Sequence, residues 1–158
     1  MELPEILKTS PECEIVTTRI FEYPRQLVYR AWTEPDHLKN WWGPNGFTNT
    51  FHTYDFKVGG LWIFTMHGPE KGNYENACTF LVIREPELII WDRQSKPLFQ
   101  VEVTLNEIDA DTTQVLFKQK FRTEEECNKL RKYVPEKNEE NMDKLDEELR
   151  RMKGLEIG

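Results

Sequence analysis

From Glu14 to Phe21 the chain reads E-I-V-T-T-R-I-F, a run rich in β-branched residues that suits a strand. The period then lengthens. Leu27, Val28, Ala31 and Trp32 recur at helical spacing behind Pro24, whose missing N–H does no harm at a helix start. Thr33-Glu34-Pro35 ends that helix and opens a second short one through about Asn40, and Trp41-Trp42-Gly43-Pro44 closes the segment as a turn. After Gly46 the apolar positions alternate, and strands are expected at 48–56, 61–67, 74–84, 88–93, 99–108 and 113–121. Gly59-Gly60, Gly68-Pro69, Glu85-Pro86 and residues 109–112 carry turn chemistry between them, which implies an antiparallel meander. Trp62, Phe64 and Met66 share one face, as do Phe99, Val101, Val103 and Leu105, and again Val115, Phe117 and Phe121. One sheet face is polar; the other needs a cover.

The C-terminal part supplies it. Thr123 before Glu124, Glu125 and Glu126 is an N-cap with acids in the first helical turn, where the helix dipole favours them. Cys127, Leu130 and Val134 follow on one face, and Tyr133 is expected to face the sheet with Cys127. Pro135 implies a kink or restart. Met142, Leu145, Leu149 and Met152 then form a single apolar stripe on a charged helix, with Gly154 as the expected stop. The fold class is therefore α+β, with a curved antiparallel sheet of about seven strands around a long C-terminal helix. One domain is expected over residues 14–152, with residues 1–13 as a loose lead-in. A sheet that broad exceeds the roughly 10–12 Å width of one helix, so a gap between the two layers is expected.

Composition narrows the partners. The five Trp, nine Phe and five Tyr among 158 residues mean that much of the buried surface comes from large rings. A net charge of -7 argues against nucleic acid and anionic membrane surfaces as partners. Cys13, Cys78 and Cys127 are odd in number and widely spaced, which reads as free thiols in a reducing compartment, with the cytoplasm as the expected location. No apolar stretch is long enough for a membrane span, and the first twelve residues do not resemble a signal peptide.

Several runs carry a family resemblance. They are Arg19-Ile20-Phe21 with Tyr23-Pro24, Ala31-Trp32-Thr33-Glu34-Pro35, Trp41-Trp42-Gly43-Pro44, and Asp55-Phe56-Lys57-Val58-Gly59-Gly60 with Trp62, Phe64 and Met66. Phe117-Lys118-Gln119-Lys120-Phe121 with Glu125-Glu126-Cys127 completes them. Together they resemble the family related to the C-terminal domain of the activator of the heat-shock-protein-90 ATPase. That family lies within the START and birch-pollen-allergen-like (SRPBCC) superfamily of helix-grip folds. The resemblance spans about residues 14–152. It implies a helix-grip domain, and the wider superfamily holds lipids, polyketides and other hydrophobic molecules. The chaperone activator itself has a further N-terminal domain, so chaperone stimulation does not transfer on this match.

The candidate ligand site is the expected gap. Its lining is read as Trp41, Trp42, Phe51, Trp62, Phe64, Tyr74, Phe80, Trp91, Phe99, Phe117 and Tyr133, with Met66 and Met142. Asn76 and Gln119 fall on inward strand faces and need hydrogen-bond partners, whether ligand, water or protein. For each ring the competing reading is plain core. His52, His67 and Cys78 match no zinc spacing, so no metal is expected, nor any other cofactor. Ser10 and Ser95 lack nucleophile context, and Asp55, Asp92 and Glu107 form no recognisable carboxylate pair, so no catalytic set emerges. The expected function is binding of a small hydrophobic ligand. The alternatives are a co-chaperone-like module that stimulates a chaperone ATPase, and a cyclase or hydrolase using the same pocket.

Overall fold

The alternating runs become seven strands in a computed structural model that describes residues 2–157, and of 156 and 157 the backbone alone. Met1, the first residue of the expected lead-in, lies outside the described residues. In chain order the elements are β1 (Glu14–Phe21), α1 (Arg25–Thr33), α2 (Pro35–Trp41), β2 (Thr48–Tyr54), β3 (Leu61–His67) and β4 (Asn73–Arg84). They continue as β5 (Leu88–Arg93), β6 (Phe99–Asp109), β7 (Thr112–Lys120), α3 (Glu124–Arg131) and α4 (Val134–Ile157). The strands form one antiparallel sheet in the order β1-β7-β6-β5-β4-β3-β2. This is the α+β helix-grip arrangement, with β1 returning to pair with the last strand.

Local chemistry explains the boundaries. Thr123 caps α3 by accepting a hydrogen bond from the Glu126 amide at 3.1 Å. The chain restarts as α4 so that Pro135 occupies the first turn, where it needs no donor. Gly154 does not stop α4, which runs on to Ile157. No atom lies within 4 Å of a Cβ placed there. In that open position the roughly 1 kcal/mol penalty of a helical glycine is too small to break the helix. Strand β2 ends at Tyr54, two residues early, because Asp55 turns the chain; a Cβ on Gly60 would sit 1.9 Å from the Asp55 carbonyl oxygen, so the turn requires glycine. The lead-in is not loose along its whole length. Gln100 on β6 accepts from the Leu7 amide at 2.8 Å and donates to the Glu5 carbonyl at 2.7 Å.

The cover is shared by three helices. α4 packs on β1, α1 on β6 and β7, and α2 on β2. Met142, Leu145, Leu149 and Met152 are all buried, as the stripe predicts. Arg19 of β1 ties the polar flank of α4 through Asp143 at 2.6 Å and Glu139 at 2.8 Å. Among the described residues no helix is long and apolar enough to cross a membrane.

One polar cluster joins α2 to α4. The Glu148 carboxylate is nearly enclosed, at 5% side-chain exposure, and meets His37 Nδ1 at 2.9 Å, Asn40 Nδ2 at 3.3 Å and the Arg151 guanidinium. Burial, the largest influence, pushes its pKa up; hydrogen bonds from Arg151, His37 and Asn40 together outweigh it and hold the group below its ordinary value. A depressed carboxylate pKa stabilises the fold above the ordinary glutamate range, and that contribution disappears as the pH falls through the folded value. Glu148→Gln is therefore expected to cost about 1–3 kcal/mol at neutral pH. It should also flatten the loss of stability on the acid side. Denaturant melts at neutral pH and below the glutamate range check both; equal acid slopes in the two proteins would remove Glu148 from this role.

Candidate functional site

Antiparallel register aligns side chains across strands, so the inner sheet face can be followed row by row. Trp62, Cys78, Arg93 and Phe99 stand opposite one another across β3, β4, β5 and β6. The next row is Phe80, Trp91, Val101 and Gln119, and the one after it is Ile83, Ile89, Val103 and Phe117. Under these rows lies an internal cavity of about 30 Å³, lined by Trp42, Trp62, Phe64, Cys78, Trp91, Arg93, Phe99, Val101, Phe117 and Gln119. That is room for one or two waters.

The large gap expected from the sequence is thus mostly filled. Trp42 fills it. Its ring centroid lies 5.7 Å from Trp91, 5.8 Å from Trp62, 5.9 Å from Phe117 and 6.1 Å from Trp32, at tilted or edge-to-face angles. Helix α4 sets the backbone on either side of it. Asn141 Nδ2 donates to the Trp41 carbonyl at 2.9 Å, and Asn141 Oδ1 accepts from the Gly43 amide at 3.1 Å. Lys144 Nζ donates to the carbonyls of Gly43, Pro44 and Phe47, each at 3.2 Å, and burial lowers its pKa. Gly43 takes φ +102°, and a Cβ there would meet Met66 Cε at 2.6 Å, so glycine is required at the turn.

One wall of the cavity is polar. Arg93 Nε donates to the Pro97 carbonyl at 2.9 Å, Nη2 to the Lys96 carbonyl at 3.1 Å and Nη1 to Asn76 Oδ1, while the guanidinium carbon sits 5.5 Å from the Phe99 ring centre. These bonds use three of its five N–H donors. Burial pushes the Arg93 pKa down, and no carboxylate pairs with it among the described residues. Burial also pushes the Cys78 thiol up to about 12, although neighbouring Arg93 favours the thiolate. Cys78 is thus a neutral thiol near pH 7 and a poor nucleophile. The Trp62 indole N–H is buried without an acceptor among the described residues.

Phe99 is one of the partly exposed residues of the lining. It is half-buried, and its ring lies 5.3 Å from that of Phe121. Phe121 belongs to an outer groove of about 540 Å³ lined by Lys96, Pro97, Leu98, Phe121, Glu126, Lys129 and Leu130.

Of the residues expected to line the site, Trp42, Trp62, Phe64, Trp91, Phe99, Phe117 and Gln119 meet at the cavity. Phe51 and Phe80 stand behind Trp62, with ring centres 5.5 Å and 6.2 Å away. Trp41 fastens α1 to α2, its indole N–H donating to the Ala31 carbonyl at 2.9 Å. Met142 is core under α4, and Met66 packs beside Gly43. Tyr74 and Tyr133 do not face inward; each is 54% exposed. Tyr74 lies past the end of the helical cover and packs on Phe47, and Tyr133 sits in the break between α3 and α4. Both inward amides have protein partners. Asn76 holds Arg93, and Gln119 Oε1 accepts from Asn138 of α4 at 2.8 Å.

Cys78, Arg93 and Val101 are lining residues that the sequence reading passed over. Arg93 was within reach, since alternation puts it in phase with Trp91 on β5. His52 and His67 bond Thr65 and Thr50 on the outer sheet face, opposite Cys78, so the three do not form one cluster. Ser95 accepts a hydrogen bond from the Ala77 amide.

The profile of the family described as activator of Hsp90 ATPase homolog 1-like protein matches residues 22–150. The chain belongs to this family. Solved structures of the same architecture include a protein from Nitrosomonas europaea, with TM-score 0.84 and 22% identity over 92% of this chain and 99% of that one. A second, from Arthrobacter aurescens, has TM-score 0.82 and 22% identity over 93% and 91% of the two chains. A third, from Rhodobacter sphaeroides, has TM-score 0.80 and 19% identity over 90% and 96%. At these identities the likeness is one of fold. No curated protein matches the chain in sequence.

Two outcomes follow from this geometry. Trp42→Ala is expected to cost about 3–5 kcal/mol and to leave a cavity that added indole partly refills. Thermal melts with and without indole check it, and a variant melting at the wild-type temperature contradicts the role of Trp42 as plug. In the native protein at pH 8, iodoacetamide should label Cys13 and leave Cys78 unmodified until unfolding. Peptide mapping by mass spectrometry reads this directly.

Proposed function

We propose that the protein binds a small hydrophobic molecule between the sheet and its helical cover, admitted when the Phe99 ring swings outward. The observation that carries this reading is a ring-walled cavity whose half-buried Phe99 packs against Phe121, a residue of the open groove beside it. In this reading Phe99 turns away from Phe121 to connect the two spaces, and the groove takes most of the guest. A guest then gains about 25 cal/mol for each Å² of apolar surface it removes from water, and the Trp62 N–H gains a possible acceptor. The fold also supports the reading, since this architecture commonly holds hydrophobic ligands. Three free cysteines suit a reducing compartment, and we place the protein in the cytoplasm on that ground.

Native mass spectrometry of protein purified from its own host is expected to show a fraction carrying an added small molecule. Titration with hydrophobic probes should shift the resonances of the cavity tryptophans Trp42, Trp62 and Trp91. A protein that carries nothing from its host and shows no shift with decanol, decanoate, 2-naphthol or 2-naphthoate is not a receptor of this kind.

A further inference from the structure

We infer that the guest carries a carboxylate and that Arg93 receives it; the inference rests on the ligand-binding reading above. Arg93 lines the ring-walled cavity and is half-buried, and the partial loss of water pushes its pKa down. Arg19, Arg151 and Arg122 each have a carboxylate partner, and Arg93 has none among the described residues. Its surroundings are neutral: the Asn76 amide, two backbone carbonyls, the Cys78 thiol and the Phe99 ring. A cation taken out of water without an anion is a standing cost, and a ligand anion relieves it.

The geometry also selects the kind of anion. Asn76 and the carbonyls of Lys96 and Pro97 hold the guanidinium at three N–H groups, which fixes its plane while donors remain free. A planar fork of that kind matches a carboxylate in bidentate fashion. A phosphate dianion would bring more negative charge into apolar walls than this single cation neutralises. Arg93 and Phe99 are direct cross-strand neighbours, so a head group on Arg93 lies at the point where Phe99 opens. The apolar part of the guest then lies over Leu98, Phe121 and Leu130 in the outer groove, since the cavity beyond Arg93 has room for only one or two waters. In this arrangement Asn76 acts as a positioning residue for the cation and not as a ligand contact.

The test compares matched probes, decanoate against decanol and 2-naphthoate against 2-naphthol, on the wild-type chain, Arg93→Met and Arg93→Lys. Affinities come from calorimetry, and thermal melts report whether each variant is folded. The wild-type protein is expected to bind the carboxylate of a pair about tenfold to a hundredfold more tightly than the alcohol. Arg93→Met should abolish that preference, so that the carboxylate of each pair binds no more tightly than the alcohol. Arg93→Lys, which keeps the charge but loses the fork, should retain part of the preference, and it carries the test if Arg93→Met does not fold. Equal affinities within the wild-type pairs, or an undiminished preference in Arg93→Met, overturn the inference and leave the hydrophobic receptor standing. Wild-type protein that binds neither member of either pair overturns both.

Discussion

The inner face of a seven-stranded sheet must be shielded from water, and its width decides how. Strands spaced about 4.8 Å apart make a face nearly 30 Å across, whereas one helix covers about 10–12 Å. Helix α4 lies toward β1, and the remaining apolar rows need another cover. The two short helices and the turn after them provide it, bringing Trp32, Trp41 and Trp42 over the centre of the sheet. Everything in the candidate site follows from how well those indoles close the gap.

They close it almost completely, and α4 directs where the last one goes. Asn141 and Lys144 hydrogen-bond the amide and carbonyl groups of the turn around Trp42 and so fix its path. The polar side of α4 thereby controls the aromatic core on the other side of the turn. Burying a lysine ammonium is unfavourable in itself, and three carbonyl acceptors offset that cost. The family relation and the shared architecture place this arrangement within a group of proteins of one fold, but the fill of the interior belongs to these particular side chains.

What remains open is small and chemically uneven. Along the row from Trp62 to Phe99, two apolar rings flank a neutral thiol and a guanidinium. A core built for stability alone has little use for a cation held by carbonyls and an amide, since an apolar residue of similar volume would remove the desolvation penalty. Next to it, Phe99 is only half-buried. The facing ends of β5 and β6 thus combine a half-buried ring with a cation that has no carboxylate partner among the described residues.

The order of the elements was legible in the chain because it depends on local chemistry: period-two alternation for the strands, Pro24 and Thr123 at helix starts, and glycine or proline at the turns. The stripe of Met142, Leu145, Leu149 and Met152 likewise announced which side of α4 is buried. Which rings wall a cavity and which merely pack was not legible, because it depends on neighbours brought together from five strands and a turn. Alternation placed Tyr74 inward, but only the position of the helical cover leaves it outside. Asn141 and Lys144 read as part of a solvated charged face, since nothing local reveals that a turn from residues 43–47 comes to rest against them. Sequence by itself determined the layers and their facing sides, which are properties of short segments. The tertiary structure alone decided that Trp42 packs into the interior and that Arg93 borders it with no carboxylate partner among the described residues, because both depend on distances between segments far apart in the chain.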